Sequence, residues 1–186
     1  MSEINTLLAK AKEILRNHQN QHKSEILEKT DKLLVIIISK QKIFLFEKEN
    51  ICFETYISTS KYGIGNDDGS FKTPIGIHTV SEKIGEGQPK YTVFKARQPT
   101  NKYDLENIPD EDLITTRIIW LCGAEPEVNL GGNVDTFSRY IYIHGTPHEK
   151  EIGTPVSHGC IRMKNEDIIN LFQQVDIGTP VIIIND

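Results

Sequence analysis

The segment His144–Met163 reads HGTPHEKEIGTPVSHGCIRM and holds three of the six histidines and one of the three cysteines of this 186-residue chain. It follows the apolar, strand-like run Tyr140–Ile143 and closes on the motif Ser157–Cys160. A cysteine thiolate is a strong nucleophile, and a nearby imidazole can remove the thiol proton and later return it to a leaving amine. The segment therefore predicts a site for nucleophilic catalysis.

Two histidines are available to Cys160. His158 precedes it by two positions, so on an extended segment the two side chains are expected on the same side. His144 ends a different strand and is expected to approach Cys160 across the sheet. Gly145 and Gly159 each follow a histidine, where a missing Cβ allows close backbone approach. The N–H groups of Gly159 and Cys160 are candidates for binding a developing oxyanion.

A His-Gly pair, followed by Ser-His-Gly-Cys and a polar residue two positions later, resembles the active-site signature of the L,D-transpeptidase family with its YkuD-type catalytic domain. The resemblance extends over roughly residues 31–185. The residues that carry it are His144, Gly145, Ser157, His158, Gly159, Cys160 and Arg162.

The resemblance implies an acyltransferase that acts on peptidoglycan stem peptides. Cys160 would attack the carbonyl between the L-centre of meso-diaminopimelate and a terminal D-alanine, which leaves with help from His144. The amine of a second stem, or another amine, would take the thioester and form a 3→3 crosslink. The implied catalytic residues are Cys160, His144, Gly145, His158 and Gly159, and the implied substrate-binding residues are Ser157, Arg162 and Thr146. A purely structural role for Arg162 is an equal alternative.

Three other readings of these residues stay open. Transfer of the same acyl group to water would make a carboxypeptidase or amidase. A zinc hydrolase would use the nitrogen and sulfur donors His144, His148, His158 and Cys160, although Pro147 prevents the usual helical i, i+4 pair. A non-catalytic wall-binding module would need none of them. We expect no cofactor and no metal.

The fold class is expected to be mainly β, a sandwich or barrel, as the family resemblance also implies. Short runs rich in β-branched and aromatic residues begin at Leu33, with hairpin connections at Ser39–Lys42 and Glu47–Asn50. An amphipathic helix is predicted over residues 2–18, with Ser2 as N-cap and a break in the polar stretch 17–22. A second helix is predicted after Cys160, with Asn165 as its N-cap. We divide the chain into a helical arm, 1–30, and a catalytic domain, 31–186.

Composition restricts the partners and the compartment. The formal net charge of −5 and the lack of a Lys/Arg cluster argue against nucleic acid, and no apolar stretch reaches the about 18 residues of a membrane span. Residues 1–30 lack the features of a signal peptide, whereas the resemblance implies the cell envelope or periplasm. The oligomeric state is left open.

Two cysteines and one long polar segment complete the expectations. Cys52 and Cys122 are predicted to lie in or near the core, and a disulfide between them is possible. The acidic segment Pro99–Asp112 is predicted to be solvated surface, with a lid beside the site as the alternative.

Overall fold

The computed structural model describes residues 3–22, 30–108 and 110–186. Helix α1 spans Glu3–His22 and is followed by strands β1 (Lys32–Ile37), β2 (Lys42–Glu47) and β3 (Asn50–Tyr56). The middle of the chain forms β4 (Gly76–Ile84), β5 (Thr92–Lys95), β6 (Gln98–Lys102) and β7 (Ile114–Gly123). The last elements are β8 (Tyr142–Gly145), β9 (Ile161–Met163), α2 (Asn165–Gln174) and β10 (Pro180–Ile184), with short 3₁₀ helices at Gly132–Val134 and Glu149–Glu151.

The strands form one mainly antiparallel sheet in the order β3-β2-β1-β10-β4-β7-β5-β6, and β8 and β9 extend it from β7. The neighbouring strands β1 and β10 run parallel to each other, and so do β8 and β9. The predicted hairpins between β1, β2 and β3 are confirmed by their antiparallel registers. The prediction of a mainly β fold with a helix after Cys160 and an amphipathic N-terminal helix is confirmed.

Strand β7 pairs along one edge with β5 at its start and with β4 further on, and its opposite edge pairs with β8. The change of partner coincides with a register shift between Thr115 and Ile118, where Thr116 adopts a φ of 70°. A bulge of this kind bends a strand and redirects its edge. The bulge therefore lies where β7 exchanges β5 for β4 on one edge, opposite the end of β8 that carries His144 and Gly145.

Strands β1 and β2 are covered on both faces, as the apolar residues on both sides of β2 indicate. Leu34 and Ile36 of β1 share a buried cluster with Ile168 and Leu171 of α2. Leu33, Val35 and Ile37, on the other face of β1, share a cluster with Leu7, Leu8, Ala11 and Leu15 of α1. Alternation along a strand sends successive side chains to opposite faces, so β1 contributes to both layers.

Helix α1 runs four residues beyond the predicted end at 18 and through the polar stretch expected to break it. His18 is buried, and its Nε2 lies 3.0 Å from the carbonyl oxygen of Ala124, so a tertiary contact extends the helix where propensity alone would end it. Ser2 lies outside the described residues. Among the described helices, none has the length and apolar character needed to cross a membrane. The division at residue 30 stays a prediction.

The structure corrects the expectations for the burial and pairing of the cysteines and for the N-cap residue of α2. Cys52 is exposed because it lies on the solvent side of the alternating strand β3, while Cys122 is partly buried. All three cysteines are free thiols, so the possible disulfide is not formed. Lys164, not Asn165, is the N-cap of α2, because the buried Asn165 side chain is engaged elsewhere.

Candidate active site

The parallel pair β8–β9 brings the two ends of the 144–163 segment together. In its register His144 lies opposite Arg162, so Cys160, just before β9, lies beside Tyr142. The backbone N–H of Tyr142 donates to the Cys160 Sγ over 3.4 Å, and the thiol donates to the carbonyl oxygen of Tyr140 over 3.4 Å. The thiol and the imidazole of His144 thus come from adjacent strands, as the sequence predicts.

His144 is buried, and its Nδ1 lies 2.7 Å from the carbonyl oxygen of Gly145. A carbonyl oxygen only accepts hydrogen bonds, so Nδ1 carries the proton and Nε2 keeps a lone pair. A Cβ at Gly145 would come within 2.7 Å of the Thr115 carbonyl oxygen and 2.8 Å of Asn165 Oδ1. These contacts favour glycine at 145, and its carbonyl oxygen orients the His144 ring.

The turn before Cys160 is held by hydroxyl groups. Ser157 Oγ donates to the Cys160 carbonyl oxygen over 2.6 Å, and Thr73 Oγ1 donates to the Gly159 carbonyl oxygen over 3.0 Å. Gly159 has a φ of 124°, a conformation that favours glycine. Its N–H donates to Ser157 Oγ over 3.3 Å, whereas the N–H of Cys160 has no protein partner within the described ranges. The Cys160 N–H is therefore the better placed of the two predicted oxyanion donors.

The stretch 158–160 is bent, so the extended segment on which His158 and Cys160 would share a side is not formed. The bend at 158–160 turns its side chain outward, where 45% of it is exposed. Its ring lies 5.8 Å from that of Tyr62 and 6.3 Å from that of Phe71, and its Nδ1 lies 3.4 Å from Asp112 Oδ2. His158 therefore forms part of an aromatic surface beside the turn.

Arg162 is 4% exposed and is held between two carboxylates. Its guanidinium forms a short ion pair with Asp112 and lies 3.4 Å from Glu151 Oε2. Asp112 ends the acidic segment 99–112, so the alternative that this segment lies beside the site is correct for its C-terminal end. The ion pairs favour the structural reading of Arg162 over direct binding of a substrate carboxylate.

The other two residues predicted to touch substrate are also inside the protein. Ser157 and Thr146 are buried, and the Ser157 hydroxyl is committed to the Cys160 carbonyl. Thr146 Oγ1 accepts the N–H of His148 over 3.2 Å, and its carbonyl accepts Asn165 Nδ2 over 2.8 Å. Direct substrate contact does not fit this burial, so we assign Ser157, Thr146 and Arg162 to positioning the site.

Electrostatics keep the resting cysteine and histidine neutral. Burial raises the pKa of Cys160 to about 12, despite the hydrogen bond from Tyr142. Burial also lowers the pKa of His144, and the nearby Asp112 and the Gly145 carbonyl only partly oppose this. For Asp112 burial acts to raise the pKa, but the charges of His144 and Arg162 outweigh it and the pKa is lowered. A neutral thiol, a neutral imidazole and a carboxylate therefore share the site.

Sequence reasoning missed Asn165 as a site residue. Its Oδ1 accepts hydrogen bonds from the hydroxyls of Thr115, at 2.7 Å, and Thr116. Its backbone N–H and its Nδ2 both donate to Glu149 Oε1, over 2.8 and 2.7 Å. Asn165 thus ties β7, the 146–156 loop and α2 together behind Gly145. Only its position after the motif points to it, and locally that position indicates a helix cap.

Arg139, a few residues before β8, holds the loop that precedes β4. Its guanidinium donates to the carbonyl oxygens of Gly65, Asn66 and Lys72 over 3.3, 2.9 and 2.8 Å. Phe71 and Thr73 of this loop contact the motif, so Arg139 supports the site from outside.

The zinc alternative lacks a ligand set in the part of the chain that the structure describes, where no three His, Cys, Asp or Glu side chains are grouped for a metal. Of the four proposed ligands, His148 directs Nε2 to the carbonyl of Glu111 at 3.1 Å, and His158 faces Asp112.

A separate cleft of about 670 Å³ lies between α1 and β2 and includes Leu7, Phe44 and Tyr56, but no residue of 144–163 lines it.

Comparison with known sequences gives a consistent result. A profile of the YkuD L,D-transpeptidase catalytic domain matches residues 31–183. The putative L,D-transpeptidase YqjB of Bacillus subtilis is 47% identical over 70 residues, which are 34% of this chain and 40% of that protein. The probable L,D-transpeptidase YcfS of Escherichia coli is 32% identical over 126 residues, 66% of this chain and 36% of that protein. The chain thus spans well under half the length of these two relatives.

Solved structures share the fold at low sequence identity. An L,D-transpeptidase from Mycobacterium smegmatis superposes with a TM-score of 0.51 and 20% identity over 83% of this chain and 59% of that one. The L,D-transpeptidase LdtMt1, solved in complex with imipenem, gives a TM-score of 0.53 and 19% identity over 83% of this chain and 59% of that one. Since the catalytic-domain profile covers most of the residues and includes both His144 and Cys160, the chain belongs to the L,D-transpeptidase catalytic-domain family.

Proposed function

We propose that this chain is a peptidoglycan L,D-transpeptidase that works through a thioester on Cys160. The observation that carries the proposal is the pairing of β8 with β9. It sets the thiol one strand away from an imidazole whose Nδ1 proton is fixed on Gly145, so that Nε2 is the basic nitrogen. Family membership supports peptidoglycan as the substrate.

The acylation step starts from the neutral pair. His144 Nε2 takes the thiol proton as the sulfur attacks the carbonyl carbon between the L-centre of meso-diaminopimelate and D-alanine. The oxyanion receives the N–H of Cys160, a type of contact that contributes about 3 kcal/mol to transition-state stability. The carbon–nitrogen bond then breaks, and His144 returns its proton to the amine of the departing D-alanine.

The transfer step reverses these roles. The side-chain amine of a second stem attacks the thioester carbonyl and gives a proton to His144. The carbon–sulfur bond breaks, and the imidazolium protonates the released sulfur. The product carries a 3→3 crosslink, and Cys160 returns as a thiol. A protein amine in place of the second stem would attach that protein by the same chemistry.

The raised pKa of Cys160 has a purpose in this scheme. Because burial raises the pKa of this thiol, it is mostly protonated at neutral pH, and its deprotonation by His144 is coupled to attack on bound substrate. Family membership supports the cell envelope as the location we propose for this chain.

The test is whole-protein mass spectrometry with a synthetic stem tetrapeptide. We expect the native protein to gain the mass of the tetrapeptide less D-alanine, on the peptide that contains Cys160. Cys160→Ala should gain nothing, and Cys122→Ala, which removes a partly buried thiol, should behave as native. Addition of more tetrapeptide should convert the adduct into crosslinked dimer.

Three outcomes would contradict the proposal. No adduct on the native protein, or an adduct on Cys52 or Cys122, would remove Cys160 from the mechanism. Release of only the tripeptide acid would make the enzyme a carboxypeptidase. Imipenem offers a second probe, since LdtMt1 was solved in complex with it, and its adduct should also map to Cys160.

A further inference from the structure

Three arginines lie near the site, and two are fully engaged by the protein. Arg162 is paired with Asp112 and Glu151. Arg139 donates to three loop carbonyls and to the Ser70 hydroxyl. Arg97, in the turn between β5 and β6, contacts aromatic side chains instead of carboxylates or carbonyls among the described residues.

The Arg97 guanidinium is preorganised by three aromatic residues. Its carbon lies 5.0 Å from the ring centre of Trp120 and 5.1 Å from that of Tyr140, and its Nη1 lies 3.4 Å from the Tyr142 hydroxyl. The Tyr140 ring is 52% exposed and Arg97 is half-buried, so the group can be reached from solvent. Stacking fixes the plane of a guanidinium and leaves its outer N–H groups for a planar anion.

The same two tyrosines bind the nucleophile. The Tyr142 N–H donates to Cys160 Sγ, and the Tyr140 carbonyl accepts from it, each over 3.4 Å. Cys160 also packs in the apolar cluster of Trp120 and Tyr142. Tyr142 therefore connects the two groups, with the guanidinium at its hydroxyl and the thiol at its backbone N–H.

The backbone at Arg97 is held in an unfavourable conformation. Ala96 and Arg97 have φ values of 47° and 67°, and they form the two-residue connection between the paired Lys95 and Gln98. Such turns favour Asn-Gly, because residues with a Cβ pay for positive φ. Strained non-glycine residues cluster at functional sites, so an arginine kept here directs attention to its side chain.

We propose that Arg97 binds a carboxylate of the acyl-donor peptide and thereby sets the donor specificity of the Cys160 site. This inference rests on the proposed function. A stem tetrapeptide offers two carboxylates close to the bond that is broken, one on the terminal D-alanine and one on the diaminopimelate side chain. The planar fork of arginine matches either one with two parallel hydrogen bonds. In a chain with a net charge of −5, this cation also offsets repulsion of an anionic donor.

The experiment measures binding without turnover, by calorimetry in the Cys160→Ala background. Three tetrapeptides are compared: the free acid, one amidated at D-alanine and one amidated at the diaminopimelate carboxylate. We expect the free acid to bind about tenfold or more tighter than one of the two amides, because a charge-assisted hydrogen bond is lost on amidation. The amide that binds weakly identifies the carboxylate.

Substitutions on the hairpin then assign that preference. Arg97→Gln should abolish it, and Arg97→Lys should keep only part of it, since lysine keeps the charge but not the fork. Lys95→Gln removes one positive charge from an exposed side chain of the same hairpin and should leave the preference intact. Circular dichroism checks that each variant is folded.

The inference would be overturned if the protein bound all three peptides equally or bound none of them. It would also be overturned if the preference persisted in Arg97→Gln, or if Lys95→Gln lost it to the same extent. Thioester formation by the native protein is measured separately. A carboxylate preference without any thioester would support carboxylate binding by Arg97 and refute the proposed function. A thioester without the preference would support the proposed function and refute the role of Arg97.

Discussion

Two buried histidines in this protein have almost the same surroundings and one decisive difference. His78 on β4 and His144 on β8 both direct Nδ1 to a backbone carbonyl of a glycine, Gly76 at 3.1 Å and Gly145 at 2.7 Å. Burial is the main cause that lowers the pKa of each. The Nε2 of His78 lies 3.2 Å from the Thr136 hydroxyl, whereas His144 has Asp112 and the Cys160 strand for neighbours.

The difference shows what separates a structural histidine from a candidate base. Two satisfied ring nitrogens make His78 a neutral packing residue. At His144 one nitrogen fixes the tautomer, and the other keeps its lone pair on the strand that pairs beside Cys160. Burial and a lowered pKa are common to both, so neither property by itself identifies the base.

The largest expected effect separates the two histidines by function. His144→Ala should slow thioester formation about 10²- to 10⁴-fold, the usual contribution of a general base. His78→Gln should leave that rate nearly unchanged, and so should His148→Ala, which alters a loop histidine. Single-turnover mass spectrometry measures all three rates. Similar small effects in every variant would remove His144 from the chemistry.

The second prediction concerns stability and pH. The pKa of His78 is lowered from 6.5 to about 4 by burial, with a further contribution from Arg139. Between these two values the unfolded chain binds a proton that the folded protein does not, so stability must fall as the pH falls. From pH 7 to pH 4 the loss due to His78 approaches about 3 kcal/mol.

Urea unfolding across this pH range measures the loss. His78→Gln removes the titrating group, so its free energy of unfolding should vary less with pH than that of the native protein. Carboxylates with lowered pKa values, such as Asp112, add a slope that is common to both proteins. Parallel profiles for native and variant would show that His78 is not a neutral buried group.

The smallest effect compares the two glycines that hold the histidines. Gly145→Ala should cost about 1–3 kcal/mol of stability, because the new Cβ overlaps the Thr115 carbonyl and Asn165. It should also slow acylation by displacing the carbonyl that fixes His144. Gly76→Ala, at a φ of 105° and in contact with Glu125, should reduce stability and spare the rate per folded molecule. Equal rates in the two variants would contradict a specific role for Gly145.

Local patterns predict most of the strands and both helices, but neither β6, which overlaps the segment expected to be solvated surface, nor the short strand β9 after Cys160. Alternation and turn residues decide the hairpins, and the motif itself contains the thiol and the imidazole. The sequence did not predict that His158 points outward, because the positive φ of Gly159 reverses the chain between it and Cys160. A period of two holds only while the segment is extended.

Long-range contacts account for the other differences. Asp112 reaches Arg162 from a segment whose composition indicates only solvated surface. Asn165 has the local signature of a helix cap, yet four hydrogen-bonding groups from β7 and the preceding loop surround its side chain. Cys52 lies in an apolar run, but the sheet leaves its face open to solvent. These contacts and this exposure depend on which elements pack together. Local patterns in a single sequence do not specify that packing.

The parallel pairing of β8 with β9 also has an evolutionary consequence. Neighbouring strands lie about 4.8 Å apart whatever the chain does between them, so their hydrogen bonds set the spacing of the proposed nucleophile and base. The connection from Thr146 to Val156 can therefore gain, lose or exchange residues between its anchoring side chains without altering that spacing. A lineage of such proteins can diversify the partners it recognises through this connection while inheriting an unchanged reaction centre.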